Sequence, residues 1–336
     1  MDIKKALQKI AQREDLTGEE MRAVITLIMN GEATSGQIGA FLMGMRVKGE
    51  TVGEIAAAVS ILREKMVKVD APDDVIDIVG TGGDGAETLN ISTAAALVVA
   101  ALGVPVAKHG NRALSSKSGA SDVLQALGIK IDLPPEKITQ CIGTAGIGFM
   151  FAPAHHPALK HVGPTRVELG VRTLFNLLGP QANPAGARRY MMGVYAKSWV
   201  EPVAAALLAN RAIAAWVVHG ADGLDELSTT GPSFVASVKN GDLRSFEVVP
   251  EEAGLKRATL ADLKGADPAY NASRLRALLQ GQHDAYRDIV LFNAGAALIV
   301  ADRADTLAEG VRLAAEAVDS GKAQAVLDTL ISISNS

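Results

Sequence analysis

Cysteine is almost absent from this 336-residue chain. Cys141 stands alone, which excludes an internal disulfide and a cysteine-built zinc site. Aromatic residues supply only 4% of the chain while apolar residues supply 48%, Ala and Leu prominent among them, the balance of an α-rich or α/β protein. Positive charge is not in excess. A formal net charge of −4 removes any general attraction to nucleic acid or to an anionic membrane. Long apolar runs are missing too: the longest uncharged one, Ala94 to Ala107, is too short for a bilayer and contains Gly and Pro. The opening Met-Asp-Ile-Lys-Lys has no apolar secretory region, so the cytoplasm is the expected location. The length allows two domains, or one large one with a substantial core.

What is present concentrates between Asp77 and Asp122. Two units in succession have the order strand, polar glycine-bearing loop, helix. The first runs through Gly80-Thr-Gly-Gly83-Asp84-Gly85 to Asn90-Ile91-Ser92-Thr93 and an Ala/Leu/Val helix. The second runs from Val104 to Ala107, then through Lys108-His109-Gly110-Asn111-Arg112 and Ser115-Ser116-Lys117-Ser118-Gly119. Glycines let backbone N–H groups approach an anion, and the helix start at Ser92 and Thr93 offers free N–H groups at a positive dipole end. Lys108 and Arg112 add cations, Arg with a bidentate fork. Side by side at the ends of parallel strands, the two loops would form one phosphate site. Gly80-x-Gly82-x-x-Gly85 also fits the dinucleotide fingerprint by letter. That fingerprint needs a helix opening at the loop and an acid about 20 residues on. Here the helix starts only near Ser92 and the second strand runs into Lys108.

The chain before residue 70 carries helical spacing throughout. Thr17-Gly-Glu-Glu20 and Thr51-Val-Gly-Glu54 are capping-box patterns, and Thr34 or Ser35 starts a further helix. Four helices would leave spare apolar surface for a subunit interface. Beyond the second unit, Pro134-Pro135 opens a helix and Ile147–Phe151 is a strand. His155, His156 and His161 follow, to be weighed as a metal cluster, as satisfied histidines, or as a loop facing a ligand. Arg166 and Arg172, six residues apart, flank a helical stretch ending in Gly179-Pro180, and are surface charges or a carboxylate clamp. Strands at Met191–Val194 and Ala214–Val218 enclose a helix at Val203–Asn210. Adjacent Asp225 and Glu226 then suit Mg²⁺, which takes one or two carboxylates together with water and phosphate oxygens; the alternative is a charged turn. Asn240-Gly241 predicts a hairpin between Phe234–Val238 and Leu243–Val249. Four helices, at Asn271–Leu279, Ile289–Val300, Ala304–Val318 and Lys322–Ile331, complete the expected order.

Taken together, Gly80-Thr-Gly-Gly-Asp84, Asn90-Ile-Ser-Thr93, Lys108-His-Gly-Asn-Arg112 with Ser115-Ser116, Arg166-x-Glu-Leu-Gly-x-Arg-Thr173, Phe175-Asn-Leu-Leu-Gly-Pro180 and Asp225-Glu226 resemble anthranilate phosphoribosyltransferase. The resemblance spans nearly the whole chain, and the order of six motifs makes it specific. It implies an α/β fold: a small all-helical domain (residues 1–70 plus about 166–186) and a large domain (71–165 and 187–336) with a mixed, mostly parallel sheet flanked by helices. It implies a cytoplasmic homodimer joined through the helical domains, and leaves association with anthranilate synthase open. The implied reaction belongs to tryptophan biosynthesis. It moves the phosphoribosyl group of 5-phosphoribosyl 1-pyrophosphate to the amino group of anthranilate, giving N-(5-phosphoribosyl)anthranilate and pyrophosphate, with Mg²⁺ as cofactor.

The implied roles fall on residues of this chain. Gly80, Gly83 and Asp84 would hold pyrophosphate, Gly80 lying also near anthranilate. Thr88, Asn90, Ile91, Ser92 and Thr93 would bind the donor, with Ser92, Asp225 and Glu226 on Mg²⁺. Lys108, His109, Gly110, Asn111, Arg112, Ala113, Leu114, Ser115 and Ser116 would line the donor site. Asn111 and Arg166 would orient anthranilate, Arg166 through its carboxylate, and His109, Pro153 and His156 would line its channel. Lys108, Asn111 and Arg166 are the expected catalytic positions. One departure stands out. Where the family usually has Ser-Gly-Ser-Ala-Asp, this chain has Ser118-Gly119-Ala120-Ser121-Asp122, so the hydroxyl expected at position 120 is missing: either Ser121 replaces it by a small shift or a neighbouring amide suffices, and Ala120 would offer a backbone contact only.

Two rival readings remain at this point. A pyrimidine nucleoside phosphorylase would lack the Lys-His-Gly-Asn-Arg loop and have no need of Asp225-Glu226. A nucleic-acid-binding relative would be basic and lack the acid pair.

Overall fold

A computed structural model describes residues 2–112 and 117–336. The expectations for Ala113, Leu114, Ser115 and Ser116 lie outside these described residues.

Four helices open the chain: α1 (Ile3–Ala11), α2 (Gly18–Met29), α3 (Ser35–Lys48) and α4 (Val52–Lys65). Their starts are written locally. Thr17, Thr34 and Thr51 each accept from the third helical N–H, while Glu20, Gln37 and Glu54 reach back to the cap N–H. Glu54 does more than cap. It is fully buried, accepts from Leu16 N at 2.8 Å and pairs with Lys48 at 2.9 Å, fixing α4 to the α1–α2 turn and to α3.

The remainder alternates strand and helix: β1 (Ile76–Gly80), α5 (Ile91–Ala100), β2 (Val106–Gly110), α6 (Ala120–Ala126), α7 (Pro135–Ala145) and β3 (Ile147–Phe151). Short helices follow at α8 (Ala152–His155), α9 (Gly163–Leu169) and α10 (Leu174–Leu178). Then come β4 (Arg189–Gly193), α11 (Val200–Ala209), β5 (Ala214–Gly220), β6 (Ser233–Lys239) and β7 (Asp242–Val248). The chain closes with α12 (Pro268–Leu279), α13 (Ala285–Val300), α14 (Leu307–Asp319) and α15 (Lys322–Asn335). Seven strands form one sheet in the order β3-β2-β1-β4-β5-β6-β7. The first five are parallel, and β6 and β7 are antiparallel across the Asn240–Gly241 turn, where both residues have positive φ. The protein is thus a small helical domain beside a larger α/β domain with a mostly parallel mixed sheet.

Alternation along the strands divides two cores. Ile76, Ile78 and Met191 face α5 and α13, whereas Val79, Tyr190 and Met192 join the core that continues into the helical bundle. Asp77 lies on the bundle side, fully buried.

Two expectations need correction. The second strand extends to Gly110, so Lys108 and His109 belong to β2 rather than to the loop after it. The Arg166–Gly179 stretch is not one helix. Gly170 takes a left-handed φ of 62° and ends α9, and α10 starts afresh at Leu174. Among the described residues, no helix is long and apolar enough to cross a membrane.

Candidate active site

The strand order creates a switch point. From β1 the chain winds outward through β2 to β3, then returns to place β4 on the other side of β1. A crevice opens at such a point, beyond the carboxyl ends of the strands. The loops after β1, β2 and β5 meet there.

Their meeting is held by the two carboxylates. Asp225 Oδ2 accepts from the Gly82 N–H at 2.7 Å, and Glu226 Oε1 accepts from the Ser92 N–H at 3.2 Å. The acid pair thus docks on the glycine loop and on the first turn of α5. Lys108, 2% exposed, donates from Nζ to the Ile78 carbonyl at 2.5 Å and lies 3.3 Å from Ser92 Oγ. Burial, with the Asp84 charge next, raises the Asp225 carboxyl to about 7. Burial and the Asp225 charge raise Glu226 to about 8. Burial lowers Lys108, against the opposing pull of Asp77, Glu226 and Asp225. Carboxylates so placed call for a further cation. Two hard oxygen donors from protein suit Mg²⁺, which completes its shell with water and phosphate oxygens. Among the described residues, no group of three or more His, Cys, Asp or Glu side chains is poised for a metal ion. A site here takes its remaining ligands from elsewhere.

Asn90 caps α5 without a side-chain bond to the helix. Its side chain instead accepts from Asn271 Nδ2 at 2.9 Å and from Ser118 Oγ at 3.3 Å. Thr88 is held by the bridge to Lys264. Ile91 and Thr93 are buried, so they present backbone rather than side chain to the crevice. Asn111 and Arg112 are exposed at the end of β2, Arg112 lying 5.7 Å from the centre of the Phe151 ring. Ala120 is the first residue of α6.

The histidines do not form a metal cluster. His155 Nδ1 sits 2.9 Å from the Val67 carbonyl. His161 lies against Gly31, on the bundle. His109 and His156 are brought together, ring centres 5.2 Å apart, and the Nε2 atom of each is buried without a partner. Burial holds both rings below the usual histidine range, His156 at about 4, so each is neutral at pH 7. Arg166 makes no ion pair among the described residues. It is half-buried and lies 5.7 Å from the Phe175 ring centre. Arg172 is half-buried rather than a free surface charge. It donates to the Gly83 carbonyl and stacks 4.4 Å over Tyr195.

Several supporting residues escape a reading of the sequence. Asp77 accepts from His109 N at 3.1 Å and from Asn183 Nδ2 at 2.7 Å, and Asn183 also donates to the Ala107 carbonyl at 2.8 Å. This pair sets the position of the strand that carries Lys108. A lone acid inside the buried run Val75–Val79 is a readable signal; Asn183, far along the chain, gives none. Gly193 ends β4 beside Gly80, and any side chain there would overlap the Asp225 backbone.

Residues 4–66 match the helical bundle domain of the glycosyl transferase family, and residues 72–324 match its a/b domain. The anthranilate phosphoribosyltransferase of Mesorhizobium japonicum is 59% identical over 333 residues, 99% of each chain. That of Thermus thermophilus superposes with a TM-score of 0.94 at 43% identity, covering 100% of both chains. The Saccharomyces cerevisiae enzyme in complex with PRPP and Mg gives a TM-score of 0.91 at 26% identity over 99% of this chain and 98% of that one. The same yeast enzyme is also known in complex with 4-fluoroanthranilate. With both domains matched in order and a relative this similar over its full length, the chain belongs to the anthranilate phosphoribosyltransferase family.

Proposed function

We propose that the crevice at the β1–β4 switch point carries out phosphoribosyl transfer from 5-phosphoribosyl 1-pyrophosphate to anthranilate. The bond from ribose C1 to pyrophosphate breaks, the bond from C1 to the anthranilate nitrogen forms, and the nitrogen loses a proton. The observation that carries this reading is the docking of Asp225 on the Gly82 amide and of Glu226 on the Ser92 amide, which joins an acid pair to a phosphate-type loop.

Each group has a role that its surroundings support. The amides of Gly80 to Asp84 and the α5 start hold the donor's phosphates. Lys108, fixed between Ile78 and Ser92, faces the charge that grows on the leaving pyrophosphate. Asp225, Glu226 and Ser92 hold Mg²⁺, which when bound supplies charge neutralisation to the pyrophosphate. Arg166, without an acidic partner among the described residues, receives the anthranilate carboxylate, and Asn111 orients the ring. The helical domain, residues 1–70 with about 166–186, joins two copies into a homodimer; Val47, Val167 and Val171 are exposed on it. The cytoplasm is the working location.

The first test mixes protein, anthranilate, 5-phosphoribosyl 1-pyrophosphate and Mg²⁺, and follows anthranilate fluorescence. The signal should fall only when donor and Mg²⁺ are both present, and thymidine should not be cleaved by phosphate. An unchanged signal would refute the reading.

Positioning and charge stabilisation suffice for the chemistry. Anthranilate's amine is already unprotonated at pH 7. His109 and His156 are neutral; His156 is hydrogen-bonded to the Ala182 backbone, and neither ring pairs with a carboxylate among the described residues, as a base in a triad would. His156→Ala should therefore weaken anthranilate binding while keeping the single-turnover rate at saturation within about tenfold, since general bases contribute roughly 10²–10⁴. Abolished single-turnover chemistry with intact binding would make His156 the base.

A further inference from the structure

Helix α13 contains one residue that its surroundings do not call for. Asn293 is fully buried in a helix whose interior is otherwise almost entirely apolar. An apolar side chain would suit both the helix and the core better. Its amide grips a single distant residue by both backbone groups: Oδ1 accepts from Leu227 N at 2.9 Å, and Nδ2 donates to Leu227 O at 2.9 Å. Leu227 is the residue after Glu226. Two helical turns earlier on the same helix, Tyr286 is also fully buried, and its hydroxyl donates to the Asn90 carbonyl at 3.0 Å. Asn90 opens α5, whose Ser92 N–H binds Glu226. Four hydrogen bonds close a ring through three contacts: α13 to Leu227, Glu226 to Ser92, and Asn90 to Tyr286, which is again on α13. The rise between positions 286 and 293 is about 10 Å. The helix cannot slide to change it. Gly295 lies against Gly310 of α14 so closely that a Cβ on either would meet the other helix's backbone within 3.0 Å.

We propose that α13 is the gauge of this active site: Asn293 positions the acid pair, and Tyr286 positions the donor-binding start of α5. The inference rests on the reading of Asp225 and Glu226 as the Mg²⁺ site. Asn293 and Tyr286 touch neither substrate nor metal. They fix the distance between two loops that do.

The two residues control different observables. Binding of 5-phosphoribosyl 1-pyrophosphate, followed by calorimetry over a Mg²⁺ series, separates them without requiring turnover. Asn293→Ala should raise the Mg²⁺ concentration for half-maximal donor binding about tenfold, since it removes both hydrogen bonds to Leu227 along with the one to the Ile289 carbonyl within the helix. Tyr286→Phe keeps the ring and removes one hydroxyl. It should weaken donor binding about threefold to tenfold at saturating Mg²⁺ and leave the Mg²⁺ midpoint in place. Leu298→Ala, a truncation of a fully buried apolar side chain on the same helix that makes no hydrogen bond to either loop, should lower Tm while leaving both quantities unchanged. An unshifted Mg²⁺ midpoint in Asn293→Ala, or an equal shift in Leu298→Ala, overturns the proposal. Should Asn293→Ala not fold, wild-type donor affinity in Tyr286→Phe overturns it alone. Wild-type donor binding that ignores Mg²⁺ overturns the metal reading and this inference together.

Discussion

The double variant Asp225→Asn/Glu226→Gln should be a more heat-stable protein and a dead enzyme. Loss of activity is the simpler half. Removing both carboxylates takes away the groups assigned to the metal, and losses of about 10³-fold accompany removal of even one preorganised charge-stabilising group. Gain of stability follows from the same charges. Asp225, Glu226 and Asp77 converge on one ammonium, Lys108, in the buried part of the crevice, and Asp84 adds a further negative charge beside the acid pair. Without ligand, the folded state must hold excess negative charge that the unfolded chain would give to water.

The sign is fixed by linkage. Asp225 and Glu226 have folded-state pKa values of about 7 and about 8, above their unfolded values near 4. The native state therefore binds more protons than the unfolded state between about pH 4 and 8, and stability falls as pH rises through that window. Above pH 8 the cost is fully present. The amide variant has no such cost, so its Tm advantage over the metal-free wild type should be small at pH 5 and greatest at pH 9. Each kcal/mol of that advantage raises Tm by about 1–2 °C in a chain of this length. Scanning calorimetry from pH 5 to 9 in chelator measures it. A double variant less stable than wild type at pH 9 would mean that Gly82 and Ser92 need the charged acceptors more than the site suffers from their repulsion.

How much of this was legible in the sequence depends on the reach of each interaction. The caps at Thr17, Thr34 and Thr51 and the turn at Asn240–Gly241 involve residues no more than four apart, so a local pattern carries them. The glycine loop, the Ser92 helix start and the acid pair were legible because their residue types are unusual for bare scaffolding. Lys108 and His109 were placed one element too late, since an ammonium was not expected inside a buried parallel strand. The break at Gly170 was missed because Gly is tolerated within a helical pattern, and only its left-handed φ reveals the stop. Asn183, Tyr286 and Asn293 left no local trace. Each serves a residue more than 60 positions away, and only the fold shows which backbone it meets.

Gly193 belongs to that hidden class, and Gly193→Ala should be among the most damaging single methyl additions in the protein. It stands at the end of β4, in register with Gly80 on β1 and Val218 on β5, and its carbonyl accepts from Thr81 N at 3.0 Å. A Cβ there would run into the carbonyl group of Asp225. The obstacle is backbone, so it cannot rotate aside as a side chain would. It is also tied down, because Asp225 binds Gly82 and Leu227, two residues on, is gripped by Asn293. Either β4 leaves the sheet register or the loop at 224–227 retreats. The expected loss is about 3 kcal/mol of stability, the upper range for overpacking a rigid site. Folded enzyme should lose about 100-fold in kcat/KM, because displacement by about an ångström moves Asp225 off the glycine loop and Glu226 off the start of α5. Gly143→Ala is the matched control. Gly143 sits within α7 with open space where a Cβ would go, and alanine there should stabilise by up to about 1 kcal/mol. Urea unfolding and kcat/KM on both variants decide it. Wild-type values for Gly193→Ala would show that the Asp225 loop yields freely, and a loop that yields cannot hold the acid pair where the transfer reaction needs it.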